Sequence, residues 1–83
     1  MSEDVEAAVL AHPDVARLDG VIASYLPGRR VDGVRVGERV EVAVVLRSGR
    51  PVGEVVPELR ARVARVAGPG PVDVVVADLE WEG

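Results

Sequence analysis

The chain has 83 residues, a formal net charge of −4, 48% hydrophobic residues and 2% aromatic residues. It contains no cysteine, which excludes disulfides, thiolate metal ligands and a cysteine nucleophile. This length predicts one domain over residues 1–83, and no apolar run reaches the roughly 18 residues of a membrane-spanning helix. The acidic start, MSEDVE, is unlike a signal peptide. We therefore expect a cytoplasmic protein that does not insert into membranes.

The first third of the chain predicts a helix and a short strand. Residues 2–12 begin with carboxylates that suit the dipole of a helix N-terminus, and Val5 and Val9 fall on one helical face. Residues 14–18 alternate between apolar and polar side chains, which indicates a strand. Residues 21–26 are compatible with either a strand or a helical turn, and the sequence leaves this choice open.

The middle of the chain predicts a hairpin over residues 31–47, with its turn at Gly37. Its second strand has one strongly apolar face, made of Val40, Val42, Val44 and Leu46. The Asp-Gly pair at residues 32–33 admits two interpretations. It could be the turn of a shorter hairpin, or a bulge that brings Val31 and Val34 onto one face. We favour the bulge.

The last third predicts a second helix over residues 53–67 and a strand over residues 72–81. The apolar face of the helix is formed by Val52, Val55, Val56, Leu59, Val63 and Val66. Pro57 is expected near the first turn, where a missing N–H costs least. Glu58 precedes Arg62 by four residues and is expected to pair with it. Valines on both faces of the final strand suggest an interior position in the sheet.

These elements follow the order α-β-β-β-α-β. A strand–helix–strand step ending in an apolar strand predicts that the last strand is parallel to a neighbour. The fold class is therefore α+β, a two-layer sandwich in which two helices pack on one face of a small mixed β-sheet. The opposite face would be partly polar and available to a partner.

The sequence offers no constellation for catalysis. His12 is the only histidine and is expected at a helix end, so neither a zinc site nor a nucleophilic triad can be assembled. The acidic residues near the C-terminus, Asp73, Asp78, Glu80 and Glu82, could gather a cation, but a solvated acidic strand edge is the commoner arrangement. No phosphate-binding loop is present. We predict no catalytic residues, no cofactor and no metal.

Arginines concentrate on and around the hairpin: Arg29, Arg30, Arg35, Arg39, Arg47 and Arg50. One hypothesis is a small nucleic-acid-binding module, but Tyr25 is the only aromatic residue nearby and no GXXG loop occurs. The favoured interpretation is cross-strand pairing with carboxylates, namely Asp32, Glu38 and Glu41, together with ordinary solubility. Trp81 is either a docking anchor or a side chain packed over the sheet edge.

The ordered segments AAVLAHPDVARLDG, YLPGRRVDGVRV, VEVAVVLRSGRPVGEVVPELRARVARVAG and PVDVVVADL resemble the alkaline shock, or Gls general-stress, family of envelope stress response proteins. The resemblance runs from about Val5 to Leu79 and is closest to the short forms of high-GC Gram-positive bacteria. A glycine-rich segment usual after the first strand is reduced here to LDGVIASYLPG.

The resemblance implies a non-enzymatic stress-response protein that acts as an interaction or scaffold module. It also implies a cytoplasmic location, peripheral to the cell membrane through a small membrane-anchored protein partner, with self-association into homo-oligomers. A nucleic-acid partner is disfavoured. We expect the contact surface on the sheet face or edge that bears Val45, Arg47 and Arg35, because a hairpin edge can add strands from a partner. The candidate partner-binding residues are Arg29, Arg30, Arg35, Val45, Arg47 and Trp81.

Overall fold

The computed structural model describes residues 1–81, which form two helices and six strands. The helices are α1 (Ser2–Leu10) and α2 (Val52–Ala67). The strands are β1 (Val15–Leu18), β2 (Ala23–Leu26), β3 (Arg29–Asp32), β4 (Val34–Val36), β5 (Val40–Arg47) and β6 (Val72–Glu80). Strands β2 and β3 are additional to the predicted order and form a separate antiparallel hairpin. The segment that the sequence left open is therefore largely strand.

Strand β5 is the centre of a four-stranded mixed sheet. Strand β6 runs parallel to it along one edge. The other edge is shared, because β4 pairs antiparallel with the first part of β5 and β1 pairs antiparallel with the last part. The parallel pairing of β5 and β6 around α2 is as predicted, and the α+β fold class is confirmed.

Both helices pack on the same face of this sheet. Alternate residues of β5 enter a core cluster that also holds side chains of both helices. The fully buried members include Val42, Val44 and Leu46 from β5, Val5 and Val9 from α1, and Val55, Leu59 and Val63 from α2. Removing each such side chain from water contributes roughly 1.5–3 kcal/mol. Neither helix has the length and apolar character needed to span a bilayer.

Helix α2 contains Pro57 in its interior. The sequence predicted a position near the first turn. A proline has no N–H, so the carbonyl of Gly53, four residues earlier, lacks its usual helical donor. Both residues are exposed, and water can satisfy that carbonyl. Gly68 ends the helix with φ of 83°, as predicted. Val66, placed on the buried face by its periodicity, is exposed because it lies in the last turn.

Strand β6 is an edge strand, and the predicted interior position is wrong. Among residues 1–81 it pairs only with β5. Its valines occupy both faces because Val74 and Val76 pack against the core, whereas Val75 lies opposite Ala43 on the other face with 42% of its surface exposed. Whether each face of a strand is apolar depends on what packs above and below the sheet. It gives no information on how many strands lie beside that strand.

Gly33 carries the chain from β3 to β4. Because β3 pairs with β2 and β4 pairs with β5, the Asp32-Gly33 pair is not a hairpin turn. Gly33 has φ of 79°, and its carbonyl accepts a hydrogen bond from the Ala43 N–H at 2.9 Å. Val31 and Val34 on either side are both buried, but the predicted bulge within one hairpin arm is wrong, because β3 and β4 belong to different sheets.

We predict that Gly33→Ala destabilises the fold far more than Gly28→Ala. Both glycines have positive φ, but a Cβ at Gly33 would lie 2.5 Å from Leu18 Cβ and 2.8 Å from the Ala43 carbonyl oxygen, whereas Gly28 has nothing within 4 Å. Backbone strain alone costs about 1–2 kcal/mol, and the steric clash should raise the loss at Gly33 to about 3 kcal/mol or more. Urea unfolding of both variants measures the difference, and equal losses would contradict it.

Candidate functional site

The six candidate partner-binding residues lie in three places. Arg29 and Arg30 are on β3, in the separate hairpin. Arg35, Val45 and Arg47 are on β4 and β5 of the main sheet, and Trp81 directly follows β6. The structure therefore brings three of the six residues onto one sheet and leaves the two adjacent arginines apart from them.

The face of the main sheet opposite the helices is called the open face below. Along β5, the residues of the open face alternate with the core residues. The strand register extends this face over β1, β4 and β6. Within residues 1–81 no helix packs on it. Its residues are Arg17, Arg35, Glu41, Ala43, Val45, Arg47, Asp73, Val75, Asp78 and Glu80.

One end of the open face is crossed by an ion pair. Arg17, opposite Val45 in the register, donates from Nη1 to Glu80 Oε2 at 2.8 Å and so joins β1 to β6 across β5. A long arginine stem covers the apolar surface beside it. Val45 is only 1% exposed, so this candidate side chain presents no accessible surface to a partner. Its selection rested on strand alternation, which cannot detect cover from neighbouring strands.

The other end of the open face carries two more ion pairs. Arg35 Nε donates to Glu41 Oε2 at 2.5 Å, as predicted for the hairpin. Arg39 donates to both oxygens of Asp73, at 2.7 and 2.8 Å. These hydrogen bonds lower the pKa of the Glu41 and Asp73 carboxyl groups. Val75, between the two charged ends, is the exposed apolar residue of this face.

The two arginines of β3 are also engaged. Arg29 donates to Glu3 and to Glu6, which ties the hairpin to α1. Arg30 Nε lies 2.7 Å from Asp32 Oδ1, but both residues belong to β3, whereas a cross-strand pair was predicted for Asp32. The Arg30 guanidinium lies 5.6 Å from the centre of the Tyr25 ring. Glu38, the third predicted partner, makes no ion pair with the described residues.

Arg47 and Trp81 flank the carboxyl end of the sheet. Arg47 Nη1 donates to the Val15 carbonyl at 3.1 Å. Trp81 is 77% exposed, which favours the docking-anchor interpretation over packing across the sheet edge. Beside it lies a groove of about 480 Å³ lined by Ser48, Gly49, Arg50, Pro51, Val52, Leu79 and Trp81.

A polar cluster around the buried His12 lies next to this groove and was not predicted. His12 is only 2% exposed, and its Nε2 is 2.8 Å from Glu58 Oε1. Arg50 donates to both Glu58 oxygens, at 2.8 and 2.6 Å, and to Asp14 Oδ2 at 3.1 Å. The cluster joins the segment after α1 to the start of β1, the turn after β5 and helix α2.

The hydrogen bonds define the tautomer of His12. The backbone N–H of Asp14 donates to His12 Nδ1 at 3.0 Å, so Nδ1 must be an acceptor. The proton of the neutral ring therefore sits on Nε2 and is donated to Glu58. Arg50 first, and His12 second, lower the pKa of Glu58 to about 2.

Sequence reasoning missed this cluster because it assigned Glu58 to Arg62 by helical spacing. The actual partners are Arg50, eight residues away, and His12, 46 residues away. One signal was available: His12 continues the apolar stripe of Val5 and Val9, and a histidine buried on such a stripe requires a hydrogen-bond partner.

His12, Asp14 and Glu58 place three ligand-type atoms within 4.8 Å of one another, yet they do not suit a metal ion. The guanidinium of Arg50 already occupies the place of a cation between the two carboxylates. Metal binding through Nε2 would also require the proton on Nδ1, facing the Asp14 N–H. The cluster is better described as a clamp between four segments.

A scan of protein-family models, a search of curated proteins and a search of solved structures gave no match to this chain. The resemblance to the alkaline shock family therefore stays a prediction.

We predict that the clamp makes stability depend on acid pH. The pKa of Glu58 is about 2 in the folded chain and about 4.5 without its partners, so its stabilising effect is complete above pH 4.5 and is lost as pH falls through 2. The stability difference between the wild type and Glu58→Gln should shrink over this range in urea unfolding. Arg50→Gln should suppress the same pH dependence, and Arg62→Gln should leave it intact. If Arg62→Gln suppressed it instead, the helical pair would be the correct one.

We also predict that His12 keeps the Nε2–H tautomer and does not bind zinc. Nitrogen-15 NMR of the imidazole distinguishes the two ring nitrogens directly. Addition of zinc chloride should leave these resonances and the thermal midpoint unchanged, because no lone pair faces the carboxylates. A protonated Nδ1, or a zinc-dependent shift at His12, would contradict the assignment.

Proposed function

We propose that this chain is a non-enzymatic protein-interaction module of the alkaline and envelope stress type. It would work in the cytoplasm near the membrane by binding a protein partner, such as a small membrane-anchored protein or a second copy. The observations that carry this proposal are the open face, on which no helix packs within residues 1–81, and the edge of β6 that stays unpaired among the same residues. The resemblance in sequence supplies the biological setting, and the geometry supplies the surface.

The free edge of β6 is suited to partner binding over only part of its length. Opposite β5, Val44 pairs with Val76 but Val45 pairs with Asp78, so Ala77 is an extra residue in the edge strand. Such a bulge disrupts the ladder, and the Asp78 carboxylate accepts the next N–H, that of Leu79, at 2.8 Å. A partner strand would therefore add along the first half of β6, residues 72–76, next to the open face.

The nucleic-acid alternative is less well supported by the charges. Six arginines pair with carboxylates of the same chain, namely Arg17, Arg29, Arg30, Arg35, Arg39 and Arg50. Phosphate binding by these side chains would have to break pairs already made, in a chain whose net charge is −4. A protein surface with its own mixed charges can instead match such pairs.

We predict that substitutions on the open face abolish partner capture. The tagged chain is recovered from its native cells with membranes retained, as wild type and as Arg35→Glu, Arg47→Glu and Val75→Arg. Each should reduce recovery of the partner at least fivefold, because each changes the charge of the contact surface. Val75→Arg breaks no ion pair, so it tests the face without loosening the fold.

The matched control is Arg65→Glu, on helix α2 in the other layer. It makes the same charge change as Arg35→Glu and should leave recovery unchanged. Circular dichroism and urea unfolding establish that each variant is folded. Full recovery of the partner by a folded Val75→Arg variant would reject the open face as the binding surface.

A further inference from the structure

The groove beside Trp81 is formed by the two carboxyl ends of the parallel strands. Because β5 and β6 run in the same direction, the turn that follows β5 lies beside the residues that end β6. Pro51 and Val52 come from that turn and the start of α2, and Leu79 and Trp81 come from the end of β6. These four side chains give the groove an apolar lining. The groove lies apart from the centre of the open face.

The border of the groove next to α2 carries excess negative charge. Arg50 is surrounded by three carboxylates: Asp14 at 3.1 Å, Glu58 at 2.6 Å and Glu54 at 3.9 Å. Three carboxylates around one guanidinium leave two negative charges, since His12 is neutral in its tautomer. At the end of β6, the charge of Glu80 is balanced by its pairing partner, Arg17.

Two positively charged features near the groove do not cancel the excess negative charge of its border. The N-terminus of α2 carries a partial positive charge of about half a unit, but Glu54 in its first turn already offsets it. Arg47 donates to the Val15 carbonyl, on the β1 side of β5. The charged residue that lines the groove itself is Arg50, and its three carboxylate neighbours lie behind it at the border. The groove therefore combines an apolar lining with an acidic border.

We propose that this groove binds a segment of a protein partner in which apolar side chains alternate with lysine or arginine. The apolar side chain would lie against Leu79 and Trp81, and the flanking cations would face Glu54 and the other carboxylates around Arg50. An exposed tryptophan beside a pocket is the kind of residue that dominates interface energies. This inference rests on the proposed function and specifies the chemistry of the partner.

The test uses two defined peptides and the fluorescence of Trp81, which is the single tryptophan of the chain. The probe is an acetylated and amidated Lys-Leu-Lys-Leu-Lys peptide, and the matched probe has Glu in place of Lys. The basic peptide should shift the Trp81 emission to shorter wavelength in a saturable manner. Backbone NMR shifts should centre on residues 48–52 and Leu79. The acidic peptide should produce neither effect.

Charge-reversed variants locate the binding. Glu54→Lys should weaken the basic peptide about fivefold, in line with the loss of exposed ion pairs. Glu38→Lys makes the same charge change in the turn before β5. The eight residues of β5 separate that turn from the groove by about 26 Å, well beyond the screening length of about 8 Å at physiological salt. Glu38→Lys should therefore leave the affinity within about twofold of the wild type.

Each outcome decides the proposal. No saturable shift with the basic peptide, equal binding of both peptides, or equal effects of the two variants would overturn it. Trp81→Ala should abolish the NMR shifts, and retained shifts would also overturn it. Failure here would leave the capture experiment on the open face untouched, because its variants lie outside the groove. Failure of that capture with intact peptide binding would reject the open face alone.

Discussion

The burial of β5 is the constraint on which the rest of the structure depends. This strand is hydrogen-bonded along both edges, to β6 on one side and to β4 and β1 on the other. One of its faces forms the centre of the core, and the other is covered by ion pairs that run between its neighbours. In a chain this small, which buries only about 60–65% of its unfolded surface, nearly every element must therefore contact one strand. It places the helices and the open face, whereas the β2–β3 hairpin packs against β4 and α1.

Charge in this protein serves mainly to connect segments that are distant in sequence. The clamp of His12, Arg50 and Glu58 links α1 to α2, Arg29 links the β2–β3 hairpin to α1, and Arg17 links β1 to β6 across β5. Exposed ion pairs are individually worth little, typically up to about 1 kcal/mol. Their importance here is positional, because they use up most of the arginines and leave an acidic border beside Trp81. That border is the basis for the proposed preference of the groove for basic segments.

Much of the fold could be predicted because its patterns are local. The stripe of Val5 and Val9, the alternation through β5 and the helical period of α2 each depend on residues a few positions apart. The edge position of β6 could not be predicted, because the side-chain pattern shows which faces of a strand are buried and does not show how many strands pair with it. Of the candidate site, Arg35 and Trp81 are exposed, whereas Val45 is buried between the neighbouring strands β1 and β6, which a local pattern does not show.

The sequence by itself determined the α+β class, the parallel return of the last strand and the pairing of Arg35 within its own hairpin. These follow from periodicity and from contacts between residues close in the chain. Only the tertiary structure decided that Glu58 pairs with Arg50 and His12, that the chain crosses between two sheets at Gly33, and that a groove with carboxylates at its border forms beside Trp81. Each of these depends on segments that meet only when the strands around β5 have assembled, and no local pattern encodes that meeting.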